Sequence, residues 1–448
     1  MADNRSAAEL IRDRINSKGF SARQILIVAV CFLLNVADGF DVVSISMAAS
    51  HIASTWQIEA KVLGVVLSAE LAGMMIGSIL LATLSDRYGR RTILVGSVSA
   101  IALAMLLTAH VSNIPQLLIL RFITGLGIGG VLSSAAATAS EFSPEKYRHT
   151  AVIVVTSGFA FGALIVGPVA AYFLSTGDWP ALFTTGGVLG VILLLLVLLF
   201  VPESLEFIAN QRKPGDSSHT LARINKTLSY IKLAEFTSLP EAGAEKTVAS
   251  GSIRALLSPE LRSLTLRLWL TFFLGSWIIF LLMKWTPKLF VNLGFELNTG
   301  IYALTIFTVG GLFGNVFMAI LSTRVRLTAL ISTMCFTCGG LLIVYSGWQS
   351  SSIPVLYALL FLINFCATGA MTSMYAVAIN SYPTHLRATG LGWGIGLGRS
   401  GAIASPVVAG FLVDGGWTMW GIYLMLAAPA VLLAAFIVRS LQSRELAS

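Results

Sequence analysis

The sequence predicts an all-α integral membrane protein with twelve transmembrane helices in two six-helix pseudo-repeats, and three observations predict it. The chain of 448 residues is 56% hydrophobic and only 11% charged, with a mean hydropathy of +0.83, whereas about a quarter of the residues of a soluble domain are charged. Its apolar residues gather in runs long enough to span a bilayer, and short motifs recur at a nearly constant offset. With so little polar surface the chain would aggregate in water. The lipid bilayer is its solvent.

A spanning helix needs about 20 mostly apolar residues. Residues 1–23 are polar and charged and lack the short apolar core and cleavage site of a signal peptide, so this N-terminal segment is expected to stay cytoplasmic. Spanning runs follow at 24–49, 60–84, 92–110, 114–140, 150–174 and 180–201. Residues 202–263 are polar and read as a cytoplasmic central loop. Six more runs lie at 264–291, 299–322, 327–347, 353–381, 387–413 and 417–438. The two bundles are therefore expected over 24–201 and 264–440, with a cytoplasmic tail at 441–448. Gly and Pro interrupt several runs, which membrane helices tolerate because neighbours satisfy the freed backbone groups. The runs are far too long for buried strands.

Charge fixes the orientation. Of the 29 Lys and Arg, 24 fall in segments that are cytoplasmic once the N-terminus is inside, nine of them from Arg212 to Arg267. Lys61 and Lys288 face the other side. Such asymmetry places both termini in the cytoplasm. It also explains the net charge of +8 as a topology signal, so no nucleic-acid partner is needed.

Three motif pairs show the duplication. Leu84-Ser85-Asp86-Arg87 recurs as Leu321-Ser322-Thr323-Arg324, Pro144 with Arg148 as Pro383 with Arg387, and Gly167-Pro168-Val169-Ala170 as Ser405-Pro406-Val407-Val408. Parallel six-helix repeats holding a substrate between them describe one large class of secondary transporter. The Cys335-x-x-Cys338 pair could bind metal or act in redox chemistry. Within an apolar run and without nearby His or a second Cys pair, it reads as small buried apolar residues.

These features resemble the major facilitator superfamily. Leu84-Ser85-Asp86-Arg87-Tyr88-Gly89-Arg90-Arg91 is similar to its signature between helices two and three, with Ala82 where the signature opens with Gly. Arg121 followed by Gly125, Gly127, Gly129 and Gly130 is similar to its fourth-helix motif. Within the superfamily, Asp38-Gly39-Phe40-Asp41 resembles the D-G-x-D of the aromatic acid:proton symporters. Trp285, Pro287, the stretch Tyr382-Pro383-Thr384-His385-Leu386-Arg387-Ala388-Thr389-Gly390, and Gly398-Arg399 fit the same branch. Lys284 departs from it, since a neutral residue is expected there. The resemblance implies the major facilitator fold in a bacterial inner membrane, with helices one, four, seven and ten lining the cavity.

An ionisable residue inside a membrane helix costs roughly 2.5–3.5 kcal/mol and is a functional hypothesis by default. Asp38, Asp41, Glu70, Arg121, Lys284 and Arg399 are such residues, with Glu141 near a cytoplasmic end. Counting along the helices puts Asp41, Glu70 and Arg121 at similar depth. Asp38 and Asp41, three apart, share a helical face, and Asn35 extends that stripe inward. Two carboxylates this close in a low-dielectric site resist being ionised together, so one can take up a proton and release it elsewhere. Proton coupling is assigned to Asp38, Asp41 and Glu70, with Arg121 as the modulating cation; a static ion network joining helices one and four is the plainer alternative.

Arg399, near the middle of helix eleven, presents a planar fork suited to a carboxylate; its plainer role is a bond to carbonyls of a neighbouring helix. Lys284 is a second candidate for the substrate, or snorkels to the surface. Asn364, Tyr375, Asn35 and Trp285 complete the expected substrate contacts, with Thr368, Ser373, Trp277 and Phe280 nearby. Asp86, Arg90, Arg91, Glu141, Arg148 and Arg387 are expected to gate the cytoplasmic face through a charge network that favours the outward-open state. Exposed pairs taken singly are worth less than about 1 kcal/mol.

The expected function is a proton-coupled importer of a small, aromatic carboxylate, acting as a monomer and without cofactor or metal. Efflux by proton antiport is an alternative, although Ala170 and Ala171 stand where the antiporter motif favours glycine. A transporter-like receptor is another, although such receptors append longer signalling domains. An enzyme is not expected, because no nucleophile–base or metal-ligand set is present and the five His residues are scattered.

Overall fold

The computed structural model describes residues 7–17, 19–211, 217–238, 253–322, 324–347, 352–383, 386–428, 431–435 and 437–438. Among them, eleven helices are long and apolar enough to cross a membrane. The first six are α2 (Ala22–Trp56), α3 (Ala60–Tyr88), α4 (Arg90–Thr108), α5 (Ile114–Phe142), α6 (Glu145–Ser175) and α7 (Trp179–Phe200). The next five are α11 (Arg262–Asn292), α12 (Leu297–Leu321), α13 (Leu327–Gly347), α14 (Ile353–Ser381) and α15 (Arg387–Asp414). A twelfth run is helical over its described residues, entering through α16 (Met419–Ile422) and loosening into a wider turn at Tyr423–Ala427.

Local chemistry sets the helix starts. Ser21 and Gln24 form a reciprocal capping box at α2, satisfying two amides that the helix itself cannot. Asn113 and Asp178 accept from Gln116 N at 3.0 Å and Ala181 N at 3.1 Å, each with a proline in the first turn where its missing N–H costs nothing. Between α3 and α4 the whole connection is Gly89, at φ +102°, a conformation that other residues rarely adopt.

The polar segments are more ordered than an apolar-run reading allows. Residues 1–23 contain α1 (Ala7–Asn16), and the 202–263 segment contains α8 (Leu205–Asn210), α9 (Ser217–Tyr230) and α10 (Ile253–Leu256). The face carrying these helices is called inner below, and the opposite face outer.

In one group α3 packs on α5, α2 on α6, and α4 on α5 and α7; in the other α11 packs on α15, and α14 on both α12 and α13. Around them, apolar side chains such as Ile119, Ile153, Leu199, Phe313 and Ile320 are exposed, the surface that lipid tails cover. The groups meet chiefly where α3 packs on α15, α6 on α12, and α2 on α11.

The seam is tight at its outer end. A Cβ on Gly64 would fall on the carbonyl of Pro406, and one on Gly167 would meet the hydroxyl of Thr305. The repeated Gly167-Pro168 and Ser405-Pro406 motifs thus both lie where one group meets the other. Asp414, at the end of α15, accepts from the amides of Ala60 at 2.9 Å and Lys61 at 3.0 Å. Glu59, at the start of α3, makes no side-chain cap of its own and pairs with Lys61.

Candidate functional site

Two buried polar features lie beside this seam. The first is an ion cluster. Asp38 and Asp41 are 2% and 1% exposed, and Glu70, Arg121 and Lys284 are fully enclosed, at positions where each feels the charge of others in the group. Arg121 Nη1 donates to Asp41 Oδ1 at 2.8 Å, and Nη2 to Thr108 Oγ1 at 3.0 Å and Met105 Sδ at 3.2 Å. Its guanidinium also lies over the Phe183 ring, 4.9 Å from the centroid. Lys284, on α11, donates to the carbonyl of Val42 on α2 at 2.6 Å, so it ties one group to the other.

Four carboxylate oxygens of the cluster, Asp38 Oδ2, Asp41 Oδ2 and both of Glu70, are buried without a hydrogen-bond partner. A bare ionised oxygen in such a place is costly. Three carboxyls face two cations, so the cluster is electrically balanced when one carboxyl carries a proton. Glycine makes the crowding possible: a Cβ on Gly125 would strike the backbone carbonyl of Glu70.

The second feature is a cavity of about 170 Å³ between α3, α11, α14 and α15, lined by Leu71, Met74, Phe280, Met371, Tyr375 and Arg399, with Ser276, Ile395 and Ala402. Arg399 Nη1 donates to the carbonyl of Met74 at 2.9 Å and to Ser78 Oγ at 3.1 Å, both across the seam. Among the described residues its Nε and Nη2 make no hydrogen bond. Tyr375 stacks on Phe272 with centroids 5.6 Å apart. An engineered apolar cavity of about 150 Å³ accepts a benzene ring, so this one has room for a single aromatic ring.

The expected substrate residues divide. Arg399 and Tyr375 line the cavity, and Phe280 joins them. Lys284 neither snorkels nor reaches the cavity; the fixed depth of α11 holds its ammonium in the ion cluster. Trp285 is fully buried with Nε1 donating to the carbonyl of Pro406 at 3.3 Å. Asn364 donates to the carbonyl of Phe307 at 2.7 Å and accepts from Thr368 Oγ1 at 2.6 Å, and Asn35 donates to Cys31 O on its own helix at 3.1 Å. These four bonds join helix to helix, or helix to itself. The lining also departs from the expected set of spans: α3 and α15 contribute, while the charges of α2 and α5 turn into their own bundle.

Sequence reasoning passed over Leu71, Met74, Ser276, Met371, Ile395 and Ala402. Taken with Phe280, Tyr375 and Arg399 they stand three or four apart on each helix, a helical-face signal, but apolar and methionine residues are indistinguishable there from ordinary packing.

At the inner end of the first group, Arg90 bridges Asp86 at 2.5 Å and Glu141 at 3.1 Å. Arg91 Nη2 donates to Leu198 O at 2.9 Å, and its backbone amide to Glu203 at 3.2 Å. Arg148 donates to Ser140 Oγ at 2.6 Å. Arg12 of α1 lies 3.8 Å from Glu206 and 3.5 Å from the carbonyls of Ser140 and Glu141. These partners all belong to α1, α3, α4, α5, α6, α7, α8 or the adjoining residues. Among the described residues the network therefore ties the inner ends of one bundle rather than latching two together. The side chain of Arg387 lies outside the described residues, as do Thr384 and His385.

All four cysteines are free and buried, and no group of three or more His, Cys, Asp or Glu that could hold a metal occurs among the described residues.

A sequence model of the Major Facilitator Superfamily matches residues 31–393. The chain is 32% identical over 429 residues to the 4-hydroxybenzoate transporter PcaK of Pseudomonas putida, covering 94% of this chain and 93% of that one. It is 30% identical over 435 residues to a gallate transporter of the same species, covering 97% and 95%. The inward-open structure of the xylose transporter XylE from E. coli aligns with a TM-score of 0.72 at 16% identity, covering 93% of this chain and 95% of that one; at that identity the likeness concerns the fold.

Proposed function

Since the chain belongs to the major facilitator superfamily, we propose that it imports a single-ring aromatic carboxylate together with protons, by alternating access. It is a membrane transporter with a small-molecule substrate, and not an enzyme. The observation that carries the substrate class is Arg399 on the wall of a ring-sized cavity whose other walls, Ser276 aside, are apolar and aromatic. A guanidinium fork recognises a carboxylate through two parallel bonds, and the faces of Phe280 and Tyr375 suit a ring. The relatives whose names specify 4-hydroxybenzoate and gallate favour the same class.

Proton coupling in this reading belongs to Asp38, Asp41 and Glu70, held between Arg121 and Lys284. The ties described along the outer half of the seam leave the cavity to the inner side, so the arrangement reads as inward-facing. Protonation on the outer side and release on the inner side changes how strongly Lys284 is held at the first bundle. The bundles over 24–201 and 264–440 are the bodies that rock. The charge network of Asp86, Arg90, Arg91, Glu141 and Arg148 keeps the inner ends of the first bundle rigid as it moves; Arg387 is its proposed counterpart in the second. The basic segments place both termini in the cytoplasm, in a bacterial inner membrane, with the monomer as the working unit.

The test is uptake of labelled 4-hydroxybenzoate into proteoliposomes with an imposed pH gradient, alkaline inside, with xylose as the control solute. Accumulation that needs the gradient and excludes xylose is expected. Accumulation indifferent to the gradient, or driven only by the reverse gradient, would overturn symport; preference for xylose would overturn the carboxylate.

A further inference from the structure

A second recess, remote from the cavity at the seam, lies at the inner end of α7. It measures about 380 Å³ and is bounded by the start of α4, residues 198–203 at the end of α7, and α9. Its lining carries three cations, Arg91, Arg223 and Lys226, against one carboxylate, Glu203. That carboxylate is already engaged: Glu203 Oε1 accepts from the amides of Arg91 at 3.2 Å and Ser204 at 2.9 Å.

The cations are placed by the fold. Arg223, Lys226, Thr227 and Tyr230 all line the recess, and their spacing of three, one and three residues puts them on one face of α9. Ile224 and Leu228 are buried on another face. Tyr230 donates to the carbonyl of Phe200 at 3.0 Å, pinning α9 to the end of α7. Arg23 lies over the Tyr230 ring, 5.0 Å from its centroid, adding a fourth cation behind the wall. Arg91 is anchored through Nη2 to Leu198 O, while its Nε is buried with no hydrogen-bond partner. Arg223 and Lys226 are exposed, and neither is paired with a carboxylate among the described residues.

A cluster of this sign calls for a phosphate, and its position says which kind. Directly above it on α7, Leu198 and Leu199 are 43% and 68% exposed, facing where acyl chains run. A free phosphate would satisfy the cations and leave this apolar wall bare; a phospholipid covers both. Basic pockets beside membrane helices on the positively charged face are suited to anionic headgroups. We propose that the recess between α4, α7 and α9 binds the headgroup of an anionic phospholipid, with the Arg91, Arg223 and Lys226 side chains around its phosphate and the acyl chains against Leu198 and Leu199.

Native mass spectrometry of the purified full chain, titrated with phosphatidylglycerol and with phosphatidylcholine, tests this. Each cation near an anionic lipid contributes about a five-fold factor, so Arg223→Gln/Lys226→Gln should weaken phosphatidylglycerol binding roughly 25-fold and leave phosphatidylcholine unchanged. Millimolar inorganic phosphate should fail to displace the lipid. Because both substituted side chains are exposed, the variant should match wild-type uptake in liposomes made of phosphatidylcholine alone, which separates loss of the site from loss of the fold. Equal binding of the two lipids by the wild type, an undiminished preference in the variant, or displacement by inorganic phosphate would each overturn the proposal.

Discussion

Lys284→Met removes the ammonium that crosses the seam while keeping an unbranched side chain of similar reach. The bond it deletes, Lys284 Nζ to Val42 O at 2.6 Å, is charge-assisted, a kind that contributes about 1.5–3 kcal/mol. With each 1.4 kcal/mol equal to a factor of ten, the inward-facing population should fall roughly ten- to a hundred-fold relative to the outward-facing one. Nitroxide labels at Thr55 and Asn292, exposed near the outer ends of α2 and α11, report that shift as a longer inter-label distance by pulsed electron resonance. The four native cysteines are buried, which favours selective labelling at the introduced sites. A second readout probes the charge balance. The single variant leaves three carboxyls facing Arg121 alone, and breaking a buried ionic set in this way costs about 3–5 kcal/mol, seen as a lower melting temperature. Glu70→Gln with Lys284→Met removes one charge of each sign and should recover most of that loss. An unchanged distance distribution, or a double variant no more stable than the single, would refute the reading of Lys284 as the tie between the bundles.

Asp41→Asn should abolish gradient-driven accumulation while leaving counterflow exchange partly intact, because exchange needs no net proton step; Asp38→Asn should behave similarly but more mildly. Full accumulation by both, measured in the same vesicles, would remove coupling from this pair. Arg399→Lys keeps the charge but loses the fork. Losing one of two charge-assisted bonds should weaken carboxylate binding by roughly ten-fold or more, and calorimetry with an acid and its amide should show Arg399→Ala losing the preference between them. An unchanged acid-over-amide ratio would reassign Arg399 to its bonds with Met74 and Ser78. Gly64→Ala places a methyl against the carbonyl of Pro406 and should wedge the outer seam apart. Overpacking of this kind costs about 1–3 kcal/mol, so labels on α3 and α15 should separate; unaltered spacing would show that the seam yields elsewhere.

The spans were legible because bilayer thickness imposes a length on apolar runs, and a run such as 353–381 coincides with α14. Others extend past their apolar stretch: 24–49 became Ala22–Trp56, since a helix continues through His51, Ser54 and Thr55 once its hydrogen bonds are running. The short helices α1 and α9 carry too few apolar residues to register as spans. Yet Ile11 and Ile15, and Ile224 and Leu228, are buried at four-residue spacing, a helical signal that the sequence does carry. Within the site, the grouping of Asp41, Glu70 and Arg121 followed from depth counting. The place of Lys284 did not, because one sequence does not say which helix of the other bundle lies opposite. Asn364 and Asn35 offer polar groups and Trp285 a ring to stack on, but the fold uses the N–H groups of all three to fasten backbone carbonyls.

The carboxylate of Asp414 has a consequence for how the protein could be watched at work. The first amides of a helix have no partner within it, and α3 meets that need at Ala60 and Lys61 with a residue from the other bundle. Such a cap contributes about 1 kcal/mol, and it exists only while the outer ends touch. When they part, those two amides turn to water and should exchange their hydrogens faster, while amides deeper in α3 stay protected. The start of one helix is thus a built-in gauge, read by isotope exchange without any added label, of which side of the membrane the protein is facing.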